Sequence, residues 1–154
     1  MTTPDILHPF HSYTNSNKLF VPNKPRRQRW SCPLPMLRID EFDIIPLTST
    51  RLLKSEGYHM NNCCRDYAAQ CANGTYCMFS IRNHSGDRLA TLGAKKVDDH
   101  YHLDQCFGPS NTNVIDLFIE HTDNSNTPHI EWQRTELFYA ASEVIRALNM
   151  TKNN

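Results

Sequence analysis

The stretch SEGYHMNNCCRDYAAQCANGTYCMFSIR, residues 55–82, holds four of the six cysteines in a chain of 154 residues, together with amides and an Arg. Three chemistries fit it: a metal site, a cysteine nucleophile, or a small packed core. Cys63 and Cys64 are adjacent, and the gaps to Cys71 and then Cys77 are both longer than the two-residue spacing of a zinc knuckle. No metal and no cofactor is expected on that spacing. On a helix, Cys64, Tyr67, Ala68 and Cys71 fall on one stripe and read as core, because a buried thiol packs as a small hydrophobe. Cys63 differs. With Asn62 as cap it sits in a first helical turn, where exposed N–H groups favour a thiolate. A nucleophile also needs a base, for which His59 and His102 are the candidates, while Asp66 opposes thiolate formation. The competing reading is a partly buried structural cysteine.

A second constellation follows from strand alternation. If Phe79 pairs with Leu92 and Ile81 with Ala90 across the loop at 84–87, one face carries Cys77, Phe79, Ile81, Ala90, Leu92 and Ala94, suited to a core. The opposite face carries Ser80, Arg82, Thr91, Gly93 and, one strand over, Gln105. Asn111 can close one end of that face. Solvated sheet faces usually carry Lys, Glu and Thr, so this set reads either as a lined groove or as a wet face with an Arg–acid pair. In a groove, Arg82 suits a phosphate or carboxylate.

The elements that must position these groups belong to an α+β fold. TYCMFSIRN, RLATLGAKKV and HYHLDQCFG read as a three-stranded antiparallel meander. FDIIPL reads as an edge strand because of Pro46. TSTRLLKSEG gives one or two helical turns stopped at Gly57, and a helix capped by Asn61 or Asn62 runs to about Ala72. VIDLFIE reads as a short helix and 121–129 as a loop. A last helix begins near Glu131, with Trp132, Leu137, Ala141, Val144 and Leu148 on its apolar face. Helices are expected on one face of the sheet.

Six of the nine prolines precede Met36, so residues 1–35 read as an extended arm and 36–150 as one domain. The arm can dock through Phe20 and Trp30. Formal charge is zero overall, yet residues 1–30 hold an excess of +4 (Lys18, Lys24, Arg26, Arg27 and Arg29 against Asp5), leaving −4 on the remainder. Lys24, Arg26, Arg27 and Arg29 form a basic patch able to touch nucleic acid, or a solvated tail. No apolar run reaches the length of a membrane span, and no signal peptide is expected at the start, so a cytoplasmic protein with no membrane partner is expected. Cysteines there are thiols rather than a disulfide framework.

LLKSEGYHMNNCCRDYAAQCANGTYCMFSIR, then RLATLG, then LDQCFGPSN, resembles the PcfJ-like family across about residues 48–112. The matching positions are Glu56, Gly57, Met60, Cys63 and Tyr67, then Gly74, Ser80 and Arg82, then Thr91, Leu92, Gln105, Gly108 and Asn111. Two positions depart from the family pattern: its His before the Cys is Asn62 here, and the Glu of its Thr-Leu-Glu is Gly93. The resemblance implies a shared fold and a mobile-element setting, phage or plasmid, without implying a reaction. It also implies that Asn62, Cys63 and Tyr67 face Ser80, Arg82, Thr91, Gln105 and Asn111 across one pocket. Losing the His and the Glu removes proton-transfer groups, which fits binding better than turnover. The expected function is therefore a non-catalytic binding or accessory protein engaging a phosphate-bearing ligand, a nucleic acid or a protein partner. The alternatives are a cysteine-dependent enzyme using Cys63, and a protein-interaction subunit or inhibitor of host defence.

Overall fold

Alternating apolar residues in YCMFSIRN, held between Asn73-Gly74 and the turn at 84–87, make the central strand of a five-stranded antiparallel sheet. The computed structural model describes residues 27–122, 124–126 and 128–151. In order across the sheet lie β1 (Leu37–Ile39), β2 (Phe42–Pro46), β3 (Tyr76–Asn83), β4 (Arg88–Val97) and β5 (His100–Phe107). Phe79 pairs with Leu92 and Ile81 with Ala90, the register the alternation predicts. The three-stranded meander is thus the far part of a larger sheet, to which the β1–β2 hairpin adds two strands. β2 is not an edge. Pro46 is tolerated because Leu47 N–H points at Met78 O (2.9 Å), so the ring nitrogen before it faces away from β3. On that side β1 pairs only as far as Ile44.

Two helical segments connect β2 to β3. Ser49 Oγ accepts from Leu52 N–H (3.2 Å) and starts α1 (Thr50–Met60), which runs past Gly57 and closes at Asn61 in the left-handed region (φ 48°). Gly57 is there for close approach rather than as a stop, since an added Cβ would lie 3.1 Å from the Asn62 carbonyl oxygen. The expected helix to Ala72 is instead a 3-10 turn, Cys64–Tyr67, followed by α2 (Ala68–Ala72). Cys63 precedes that turn, so no first-turn helix position supports its thiolate.

Beyond β5 the chain departs further from expectation. VIDLFIE is not a helix but contributes β6 (Asp116–Thr122), which pairs with β7 (Pro128–Arg134) as a separate two-stranded ribbon. Thr135 Oγ1 then accepts from Phe138 N–H (3.3 Å) and starts α3 (Glu136–Met150), later than Glu131. Trp132 therefore lies on a strand, 65% exposed, while Ala141, Val144 and Leu148 are buried as the helical spacing predicts.

Helices cover both faces of the sheet rather than one. Phe79, Ile81, Ala90 and Leu92 pack with Ala140, Ala141, Val144 and Leu148 of α3. On the other face, Tyr76 and Met78 pack with Leu53, Cys64 and Cys71. β3 is consequently buried from Tyr76 to Ile81 on both sides. The segment before β1 lies on this body: Trp30 donates from its backbone to Thr48 O and from Nε1 to Leu47 O (both 3.1 Å), and Leu34 is buried. Arg27 and Arg29 are exposed, and Phe20, Lys24 and Arg26 lie outside the described residues. Among the described residues no helix is long and apolar enough to cross a membrane.

Candidate functional site

A small cleft opens where the turn after α1 meets the polar face of β4 and β5. The fold-back over Gly57 brings Asn62, Cys63, Cys64 and Tyr67 to one wall. Thr91 of β4 with Gln105 and Phe107 of β5 form the other, Met78 of β3 lines the base, and Asn111 stands at the rim. The volume is about 10 Å³, room for one water molecule. Asn61 Nδ2 donates to Ser110 Oγ (3.0 Å), tying the loop that carries Asn111 to the end of α1. Asn62, Cys63, Tyr67, Thr91, Gln105 and Asn111, which the resemblance groups together, thus do meet.

Ser80 and Arg82 share the sheet face with Thr91 but do not line the cleft. Arg82 Nε donates to Ser80 Oγ (3.0 Å), and its Nη2 lies 3.8 Å from Glu56 Oε2. Glu56, on α1, is fully buried. Arg88 Nε donates to its Oε2 (2.8 Å), and Thr91 Oγ1 donates to Oε1 (3.0 Å). Two partly buried guanidinium groups thus face one buried carboxylate, and burial, then Arg88, lowers the Arg82 pKa from its ordinary value. Thr91 joins this cluster to the cleft, since its oxygen accepts from Asn62 Nδ2 (3.1 Å).

Gly93 faces Gln105 in the β4–β5 register, and Tyr76 fills the space above it. A Cβ on Gly93 would lie 2.2 Å from the Tyr76 hydroxyl oxygen and 2.9 Å from Gln105 Cγ. That hydroxyl donates to Asp104 Oδ2 (2.6 Å) and accepts from Gln105 Nε2 (3.1 Å). Burial, then the Asp104 carboxylate, holds it protonated well above the ordinary phenol range. At the position where the family pattern has a Glu, this chain therefore places a neutral phenol.

Cys63 is exposed, whereas Cys64 beside it is buried, donates to Leu53 O (3.1 Å) and has its pKa pushed up to about 12 by burial. Neither expected base reaches the cleft. His59 Nδ1 donates to Ser55 O (2.7 Å) on exposed α1, and His102 is exposed on β5 opposite Lys95. Among the described residues, those lining the cleft include no His, Asp, Glu, Lys or Arg. No cluster of three or more metal-ligating side chains occurs among the described residues.

Glu56, Arg88, Tyr76 and Asp104 were not anticipated as parts of the site. Tyr76 had a signal, because strand alternation puts it on the Thr91 face with Met78. Glu56 is marked only as a position matching the family pattern, and Arg88 by nothing, since the two meet from a helix and a strand 32 residues apart. No curated protein and no solved structure matches the chain. A family model described as PcfJ-like protein matches residues 7–119, and the chain belongs to the PcfJ-like family.

Proposed function

We propose that the protein is a non-catalytic binding or accessory protein of a mobile genetic element, a phage or plasmid, and that its cleft takes a group of its ligand. One observation carries this reading: the cleft gathers three carboxamides, the Thr91 hydroxyl, the Tyr67 phenol and two thiols, but no His, Asp, Glu, Lys or Arg among the described residues. Proton transfer needs a group that titrates near the working pH, which amides and aliphatic hydroxyls do not, and the exposed Cys63 thiol has no His or carboxylate beside it in the lining to act as its base. Glu56, which bonds the lining residue Thr91, is committed to it and to Arg88, and Asp104 to the Tyr76 hydroxyl. With Arg82 turned to Glu56, the phosphates of a nucleic acid or phosphorylated ligand fall to exposed Arg27 and Arg29 and to Lys24 and Arg26 beside them in sequence. Native mass spectrometry of the full chain purified from its host tests the reading. A co-purified small molecule or nucleotide that Gln105→Ala abolishes is expected, and a bare chain overturns it.

The exposure of Cys63 at the cleft mouth favours a second reading, a cysteine-dependent enzyme. It requires Cys63 to label fast with a thiol reagent at a pH well below about 8.5. An ordinary labelling rate at that pH removes it.

A further inference from the structure

Asn62, Thr91 and Gln105 in the cleft are held in fixed orientations, and the way they are held limits what the cleft can recognise. An ionised carboxylate only accepts hydrogen bonds. Glu56 Oε1 therefore takes the Thr91 hydroxyl proton, which leaves the Thr91 oxygen to accept from Asn62 Nδ2. The same order of groups recurs with Asp104, the Tyr76 hydroxyl and Gln105 Nε2. Two carboxylate–hydroxyl–amide chains thus determine which end of each amide is nitrogen and which is oxygen. Asn62 is fixed again at its oxygen, which accepts from Cys64 N–H (3.1 Å).

What remains to a ligand follows by subtraction. Each amide nitrogen has given one of its two hydrogens, so Asn62 and Gln105 each keep one N–H. Gln105 Oε1 has no protein partner among the described residues. The cleft therefore presents donors and an acceptor side by side, with the Tyr67 and Phe107 rings in its lining and no cation. Its enclosed volume takes one water-sized atom, so a ligand can set a polar edge atom between the amides while its body lies outside. A phosphate or carboxylate would enter without charge compensation and with Asp104 close behind Tyr76. Resting on the binding reading above, we infer that the cleft recognises a neutral polar edge of an unpaired nucleobase, its ring lying outside the cleft against exposed Phe107, rather than an anion. Thr91 and Tyr76 are positioning residues in this scheme.

The experiment is a titration of the full chain, 15N-labelled, with the four ribonucleosides, inorganic phosphate and N-acetylglutaminamide, following the side-chain NH₂ resonances of Asn62 and Gln105. Nucleosides are expected to shift both pairs saturably and phosphate to leave them in place. Tyr76→Phe and Thr91→Val, which release one amide each, are expected to change the affinity ratios among the nucleosides by about fivefold or more. Thr91→Ser, which keeps the hydroxyl, should preserve them. Response to N-acetylglutaminamide alone overturns the inference and assigns the cleft to a peptide amide, leaving the binding reading intact. Response to phosphate alone, or to nothing, also overturns it, and native mass spectrometry then decides the binding reading separately. Ratios unchanged in both Tyr76→Phe and Thr91→Val would show that the two hydroxyls do not position the amides.

Discussion

A fully buried carboxylate must be met by charge or hydrogen bonds, and Glu56 has both. Glu56→Ala would leave Arg88 and Arg82 facing each other across a void. Breaking a buried pair costs about 3–5 kcal/mol, and the partial exposure of both guanidinium groups lowers the expectation to roughly 2–3 kcal/mol. Urea unfolding checks it, and a loss below about 0.5 kcal/mol would reduce Glu56 to an ordinary surface acid. Gly93→Ala should destabilise by about 1–3 kcal/mol, because its Cβ meets the Tyr76 ring and hydroxyl. In a Tyr76→Ala background the penalty should largely vanish, and additive costs in the double mutant would refute the steric coupling. The buried thiols make a pH prediction. Burial pushes Cys64, Cys71 and Cys106 up to about 12 from 9.0, so between those values the unfolded chain releases protons that the folded chain keeps. Their contribution is intact below pH 9 and is lost as pH rises through 12, and Tyr76 acts in the same direction. Urea midpoints at pH 7 and pH 10.5 should fall at the higher pH, less so in Cys106→Ala; an equal midpoint would mean the thiols are not desolvated. At this scale the sequence was legible wherever a residue answers its strand neighbours. The β3–β4 register and its apolar face could be read from alternation, whereas Glu56 could not, because nothing local marks a partner 32 residues away.

Elements differ in how much of their cause is local. α1 is started locally by its Ser49 cap, and α3 is announced by apolar residues at helical spacing from Leu137 onward. The β6–β7 ribbon is not announced, because the sequence from Glu131 to Leu148 carries helical periodicity through Trp132 and only cross-strand pairing with Phe118 reveals a strand. Thr135 decides the outcome: its backbone N–H donates to Ile115 O (3.0 Å) and its hydroxyl to Val114 O (2.7 Å), while that oxygen also caps α3. Phe118 and Trp132 meet edge to face at 5.3 Å between ring centroids, yet both are more than half exposed. Trp132→Ser should therefore change global stability by no more than about 0.5 kcal/mol, since an exposed side chain has little buried area to lose. Val144→Ala on α3, fully buried, should cost about 2 kcal/mol or more in the same urea assay. The reverse order of the two costs would mean that the ribbon, not the helix, closes the core.

Across the whole molecule, the family match ends at residue 119 while the sheet's apolar face is closed by α3, which lies entirely beyond it. The helix does two things for the sheet. It covers Phe79, Ile81, Ala90 and Leu92 with Ala140, Ala141, Val144 and Leu148. It also binds the edge strand, because Asn149 Oδ1 accepts from Tyr101 N–H (2.8 Å) and its Nδ2 donates to Tyr101 O (2.9 Å), standing in for a sixth strand at that residue. Burial of Val144 and Leu148 alone contributes roughly 1.5–3 kcal/mol each, and the sheet side chains beneath them gain as much again. A domain of this size is stable by about 5–15 kcal/mol in total, so loss of the helix consumes most of that margin. A chain ending at residue 135 should therefore lack a cooperative urea transition and dispersed amide resonances. Asn149→Ala in the full chain should fold and lose only about 1–2 kcal/mol, the two backbone hydrogen bonds at the edge. A cooperative transition in the truncated chain would instead make the segment before residue 120 an autonomous unit, with α3 a cover added to a core already sufficient without it.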